Sequence, residues 1–460
     1  MGLVERHKLR SLSTRLSRWQ KIALGLFISF FVIYITTPYD GSLRSFFRFQ
    51  HNVIENYYQG QHPSDAWLFR KPRYPIDLNS DVGVIIKTGY GTKQRIPVAL
   101  KALSNESFFA DTLVVQDFPV LPDQKHYTLA NGKNVSVVDI IGWNLKRGAL
   151  KGREHLERIY KYKNLAAAVE DEEWVLSEGM GKAIGWELDA MKFLPALEYA
   201  WNTMPKKKWY VMLDDDTYMI KGSLGLLLGH LNFGQPHFLG NPVGDYKGRF
   251  PHGGSSVILS GATLRNLFEW HPEVVVEGNL ESPMAIWGDK LLSTTLMKIA
   301  IYLDESYRRV FNGEHPWMTR MWSDRLCLPL MGFHGLGNPE AMEQVGDTFK
   351  DIQGPVFWRS LAQIYGAPDY STFIEVPIRP NMDYVGRLDE FSTTVENVAK
   401  VEDCVDICDR HSTCLAWTFD PSRNRCDYAP WAILGDFADG RFSGVNGKLA
   451  QRLVKRCHSL

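Results

Sequence analysis

The run WYVMLDDDTYMI, Trp209 to Ile220, constrains the fold more than any other stretch of the chain. Five largely apolar residues, Trp209 to Leu213, are followed at once by Asp214, Asp215 and Asp216. An apolar run of that length without polar alternation predicts a strand buried on both faces, as in the parallel sheets of α/β domains. Three adjacent carboxylates repel one another, and packing gives no reason to gather them at the end of a buried strand. A positive partner is expected there.

Two upstream segments have the same form. DVGVIIKTG and DTLVVQD each read as a short buried strand with a polar carboxyl end, closing in Lys87-Thr88-Gly89 and in Asp117. Between these strands and the triplet, GWELDAMKFLPALEYAWNTM places Leu188, Met191, Leu194, Leu197, Trp201 and Met204 at three- or four-residue spacing. That spacing predicts a helix, kinked or restarted at Pro195. Alternating strands and helices predict an α/β domain with a largely parallel sheet, in which ligands gather at the carboxyl ends of strands. Lys87, Thr88, Gly89, Asp117 and the aspartate triplet are therefore expected on one rim.

Hard oxygen ligands suit Mg²⁺ or Mn²⁺, which commonly bridge carboxylates to substrate phosphates. Side chains alternate along an extended segment, so Asp214 and Asp216 face one side as the metal pair and Asp215 faces the other with a separate task. The alternative is a turn whose aspartates cap the following TYMIKGSLGLLLGHL, although a cap needs only one of them. The spacing of an EF-hand Ca²⁺ loop is absent.

At the N-terminus, Arg6, Lys8, Arg10, Arg15, Arg18 and Lys21 precede IALGLFISFFVIYITT. A helix over 22–37 would span about 24 Å, near the thickness of the thinner early-secretory bilayer. The basic flank and the lack of an A-x-A cleavage site favour an uncleaved signal anchor with a cytosolic tail over 1–21, against the alternative of a buried core helix. The remainder is then luminal. Two sequons, at Asn105 and Asn134, agree with that, as do cysteines placed for oxidation, five of the six lying beyond residue 400. Residues 38–80 read as a stem holding the body away from the membrane. A chain of 460 residues suggests two or three domains, and equal totals of 52 basic and 52 acidic residues give no overall charge for nucleic acid.

WYVMLDDDTYMI resembles the Asp-x-Asp strand of the Fringe and core 1 β-1,3-galactosyltransferase group of inverting glycosyltransferases. The likeness extends to VGVIIKTG, to the helix GWELDAMKFLPALEYAW, and to FLGNPV and HGGSSVILSGATL, together covering about 81–345. It implies a GT-A fold, a UDP-sugar donor (UDP-galactose first, UDP-N-acetylglucosamine next), Mn²⁺ with Mg²⁺ as substitute, a glycan or glycoprotein acceptor, a β-1,3 linkage, and a Golgi or endoplasmic reticulum membrane. It implies further that Asp214 and Asp216 bind metal, that His334 in LMGFHGLGN completes the metal shell, and that Lys87, Thr88, Gly89, Asp117, Asp214 and Asp215 contact the donor. Gly253 and Gly254 allow a ligand to approach the backbone, or a tight turn.

Where that family carries a Glu-Asp pair, this chain has Gly288-Asp289. Asp289 is the candidate base; the alternative is an N-cap, whose position at the positive end of a helix would lower its pKa. Trp270, Trp287 and Trp317 are left unassigned. The tail, 396–460, resembles a PAN/apple module, and that resemblance implies the pairs Cys404–Cys426 and Cys408–Cys414, with a protein or carbohydrate ligand. Cys457 has no evident partner in the sequence, and 346–395 reads as an extension or linker.

Overall fold

In a computed structural model, residues 17–61, 65–103, 111–121, 124–129 and 131–457 are described. The basic residues 6–15 and the sequon at Asn105 lie outside them.

The main sheet has seven strands: β1 (Val82–Lys87), β2 (Asp111–Gln116), β3 (His126–Thr128), β4 (Asn134–Asp139), β5 (Trp209–Asp214), β6 (Phe238–Gly240) and β7 (Val257–Ser260). Their spatial order is β3-β4-β2-β1-β5-β7-β6. The four strands β4, β2, β1 and β5 are mutually parallel; β3 and β7 pair antiparallel with β4 and β5, and the outermost β6, antiparallel to β7, runs in the direction of the central four. The expected mixed α/β class with a largely parallel sheet is what forms.

The two-residue period of a strand explains why the apolar runs are unbroken. Val84, Ile86, Val211 and Leu213 enter one apolar cluster, whereas Ile85, Tyr210 and Met212 enter the cluster on the other face. Helices cover both faces. On the second face lie Trp174–Asp189 and Phe193–Thr203, two helices rather than one, and Pro195 falls in the first turn of the later helix, where its missing N–H breaks no bond. Ile96–Leu103, Lys221–Gly229 and Pro339–Phe349 contribute Leu100, Leu227 and Val345 to the cluster on the first face.

The C-terminal part is a five-stranded antiparallel sheet ordered Arg379–Asp383, Asp436–Val445, Ala416–Asp420, Arg425–Ala429, Thr393–Glu396. It begins upstream of the boundary expected at 396. Arg379–Asp383, with the sequence RPNMD, carries no apolar alternation, so nothing in its composition marks it as a strand. The helix Val401–Arg410 presents Cys404 and Cys408 one turn apart, bonded to Cys426 and Cys414 as the PAN/apple resemblance implies. Cys457, without a partner in the sequence reading, bonds Cys327 across 130 residues and ties the last helix to the body. A short pairing of Met321–Trp322 with Trp431–Ala432 joins the two parts as well.

The helix Arg18–Thr36 has no buried residue and is long and apolar enough to be a membrane anchor or a signal sequence. The stem expected over 38–80 contains a helix of its own, Ser42–Gln61.

Replacing Cys327 and Cys457 together by serine should lower unfolding stability by about 2–5 kcal/mol, the range for closing a long loop. Denaturant unfolding followed by tryptophan fluorescence would measure this, and the pairs Cys404–Cys426 and Cys408–Cys414 should stay intact by peptide mapping.

Candidate active site

The register of the two central strands sets Lys87 directly opposite Asp214. Both side chains emerge on the face packed by Trp174–Asp189, and the ammonium of Lys87 stands 2.7 Å from Asp214 and 3.0 Å from Asp189. Burial alone would depress the pKa of Lys87, but the carboxylates of Asp189 and Asp214 outweigh it and hold the lysine charged. For Asp214 burial pulls upward, yet Lys87 prevails and its carboxyl stays below the ordinary range. Phe193 closes over the lysine, with its ring centre 3.7 Å from the ammonium.

Asp215 faces the opposite way, as expected, but through a turn and not an extended segment: the strand ends at Asp214, and the Thr217 N–H donates to the Asp214 carbonyl to close a turn over Asp215 and Asp216. It accepts hydrogen bonds from Thr88 and Thr92, each at 2.6 Å, and from Arg95 at 3.1 Å. Burial raises its pKa despite those donors. Its work is to hold the loop after β1, so Thr88 reaches the site through Asp215.

Asp216 meets His334 through three neighbouring locks. Tyr218–Met219 pairs with Gly332–Phe333, the Leu336 N–H donates to the Asp216 carbonyl, and Thr217 Oγ1 donates to the Gly254 carbonyl. The imidazole Nε2 lies 3.4 Å from Asp216 Oδ1, and the other ring nitrogen is 3.4 Å from the Gly313 carbonyl, which can only accept. A proton on Nδ1 leaves Nε2 free to bind a cation. One ligand atom each from Asp214, Asp216 and His334 lies within 4.8 Å of the others. Two carboxylates and an imidazole are a donor set that accepts Mn²⁺ more readily than Mg²⁺, which prefers oxygen and water throughout. A Cβ on Gly254 would stand 2.2 Å from His334 Nε2, so glycine is required for the imidazole to sit there.

Gly253 has a different part. Its N–H donates to Asp289 Oδ2 at 2.8 Å, and the Lys290 N–H donates to Asp289 Oδ1 at 2.8 Å. The N-cap of the helix Gly288–Lys298 is Trp287, so Asp289 sits in the first turn and is not the cap. Its pKa is also not lowered. Burial pushes it up to about 6 against the two N–H donors, because removing a carboxylate from water outweighs the pull of the helix end. Gly288 is equally constrained, since a Cβ there would lie 2.4 Å from Phe193 Cδ2 and 3.0 Å from Ala190 Cα.

These groups line one cleft of about 830 Å³, shared by Lys87, Asp214, Asp216, Asp289 and His334. Thr88, Gly89, Asp215, Gly253 and Gly254 line it too, but Asp117 does not. Asp117 is 1 % exposed, paired with Lys192 at 2.9 Å and accepting the Tyr90 N–H, so its expected contact with a donor gives way to a role behind the rim.

The sequence reading missed Asp189, Lys192, Arg95 and Thr92. Asp189 offered one signal: an acid in the last turn of a helix opposes the macrodipole and needs a compensating cation. Trp287, stacked on Phe250, and Trp186 stand in the cleft wall, whereas Trp270 and Trp317 lie outside it. No known protein-family model matches the chain, and no curated protein matches it.

The raised pKa of Asp289 has a sign that stability measurements can read. Folded, the carboxyl keeps its proton to about pH 6, while unfolded it releases it near 3.8, so the folded state binds more protons between those values. Stability contributed by this group is therefore lost as pH rises from about 4 to 6, by up to roughly 3 kcal/mol. The Asp289→Asn variant should gain on the parent across that window and run parallel to it outside; chemical unfolding at a series of pH values would show the divergence.

Proposed function

We propose that this chain is an inverting, metal-dependent glycosyltransferase with a GT-A nucleotide-sugar domain, anchored in a Golgi or endoplasmic reticulum membrane with its body in the lumen. The donor is a UDP-sugar, UDP-galactose in the first instance, and the acceptor is a hydroxyl of a glycan or glycoprotein, joined through a β-1,3 linkage. One observation carries the reading. A cluster of two carboxylates and an imidazole shares a cleft with a separate, half-buried carboxylate whose pKa is raised to about 6.

Inverting transfer needs two separated tasks, and the cleft has a group for each. Asp214, Asp216 and His334 would hold the metal, which when bound supplies positive charge to the leaving diphosphate. Lys87 keeps Asp214 ionised and oriented, and Arg95, 3.6 Å from Asp216, adds positive charge beside the same group. Asp289, held by the N–H groups of Gly253 and Lys290, takes the proton from the attacking acceptor hydroxyl. A pKa near 6 leaves it mostly ionised at neutral pH yet basic enough to accept that proton. The Glu that the resembled family carries before this aspartate has no room here beside Phe193 and Ala190, so Asp289 acts alone. The C-terminal sheet is assigned to hold a protein or carbohydrate ligand close to the body.

The missing Glu also supports a second reading, a luminal carbohydrate- or protein-binding protein whose transfer site has decayed. Calorimetric titration of the chain with UDP-sugars, with and without Mn²⁺, separates the two. Metal-dependent binding of one UDP-sugar, with slow metal-dependent hydrolysis of it, is expected of the transferase; a folded, manganese-loaded sample that binds none leaves the second reading. Asp216→Ala should abolish donor binding and turnover together. Asp289→Asn should bind UDP and Mn²⁺ within about threefold of the parent and lose transfer by a factor of about 10²–10⁴.

A further inference from the structure

The helix Ser42–Gln61 divides its residues between two surfaces. One side is bonded to the body. Asn52 and Asn56 donate to the two carboxylate oxygens of Glu305, Arg309 donates to the carbonyl and side chain of Gln59, and Arg48 lies 3.7 Å from the centre of the Tyr302 ring. Phe49 packs edge-on to Tyr246. Phe46 also packs edge-on to Tyr246, at the border of that side. On the opposite side, over an arc of about 140° at ~100° per residue, stand Phe47, Val53, Ile54, Tyr57 and Tyr58. Each of them is exposed, Ile54 at 63 % and Tyr57 at 67 %.

This apolar side is continuous with the anchor. Arg44 donates to the carbonyls of Tyr34 and Ile35, satisfying the last turn of Arg18–Thr36, and its guanidinium lies over the rings of Tyr34 and Tyr39. The Phe47 ring is 5.2 Å from that of Phe30, inside the anchor helix. A soluble partner would have to enter the bilayer to reach Phe47, whereas lipid already surrounds Phe30 once the anchor is inserted.

We propose that Ser42–Gln61 lies in the membrane interface, with its Phe47, Val53, Ile54, Tyr57 and Tyr58 side among lipid headgroups and upper acyl chains, so that the body is seated on the bilayer. The proposal rests on reading Arg18–Thr36 as a retained anchor. Its chemistry is that of interfacial helices: aliphatic side chains and aromatic rings with polar tips at headgroup depth, and an opposite face occupied by protein. Tethering by the preceding helix keeps the segment at the surface, so weak intrinsic partitioning is enough to hold it there. Glu305, which receives Asn52 and Asn56, is also ion-paired to Arg249, whose carbonyl accepts from Ser293 on the helix that begins at Gly288. The membrane-facing helix and the helix bearing Asp289 are thus fastened to the same segment, and the cleft is held at a set height and tilt above the lipid. The body is not carried on a stalk.

All six cysteines are in disulfides, so a single introduced cysteine labels uniquely. The full chain, reconstituted in phosphatidylcholine vesicles with brominated acyl chains, would carry a bimane at Phe27→Cys, Ile54→Cys or Gln344→Cys in turn. Strong quenching at 27, loss of roughly half the emission at 54, as for a group ~5–10 Å into the interface, and none at 344 are expected. Quenching at 27 with none at 54 overturns the proposal while leaving the anchor standing. No quenching at 27 removes the anchor reading and this proposal with it. A blue-shifted, unquenched probe at 54 that cross-links to a second copy assigns the face to self-association instead.

Discussion

The ammonium of Lys87, buried between Asp214 and Asp189, is the interaction on which the cleft depends. Parallel register brings the lysine and Asp214 to the same level on adjacent strands, and the helix ending at Asp189 delivers the second carboxylate from above. Remove the cation and two half-buried acids would face each other across the cleft wall with no counter-charge between them. A second lysine repeats the device one step behind. Lys192 joins Asp117, the Thr88 carbonyl and Asp189, fixing the restart of the helix at Phe193 against the loop after β1. The rim is therefore rigid because its charges are cross-braced, and the brace is what allows three consecutive aspartates to be tolerated.

The end of the strand at Asp214 and the turn over Asp215 and Asp216 then divide the labour. Asp214 points toward the helices, Asp215 toward Arg95 and the threonines, and Asp216 toward His334. Neighbours in sequence thus hold three different environments, which is why burial raises the pKa of Asp215 and Asp216 while Lys87 lowers that of Asp214. Glycines finish the arrangement by leaving room, Gly254 for an imidazole and Gly288 for Phe193.

Much of this was legible in the chain. Uninterrupted apolar runs forecast strands buried on both faces; the two-residue period forecast that Asp214 and Asp216 would separate from Asp215, and they do, but the separation is made by a turn that begins where the strand ends at Asp214. His334 was found only by its place after a short apolar strand in a resembled motif, since an isolated histidine has no periodic signature. The parts that were not legible share a cause: they depend on long-range pairing. Asp189 and Arg95 are ordinary helix-surface charges until a strand register brings partners to them. Cys327 sits alone in SDRLCLPLMG, and only the folded body carries it to Cys457. The Ser42–Gln61 helix mixes aromatic and polar residues because it is half committed to the body and half exposed, so neither composition nor a clean periodicity announced it. For Asp289, proximity to a helix start suggested a depressed pKa, and its partial burial in the cleft wall, which no local pattern records, reversed the sign.

The margins of the main sheet have a consequence for crowding. Its two outermost strands, His126–Thr128 and Phe238–Gly240, are only three residues long. An edge that short offers few free backbone groups as a template for another chain. Crowding multiplies encounters between copies, and a long bare edge would turn those encounters into cross-chain sheets. Asn134, exposed and paired with Thr128 on the outermost strand, lies in a sequon, so a glycan there would add a hydrated screen over one of the two margins. Brevity at both ends of the sheet limits the template that each copy offers another.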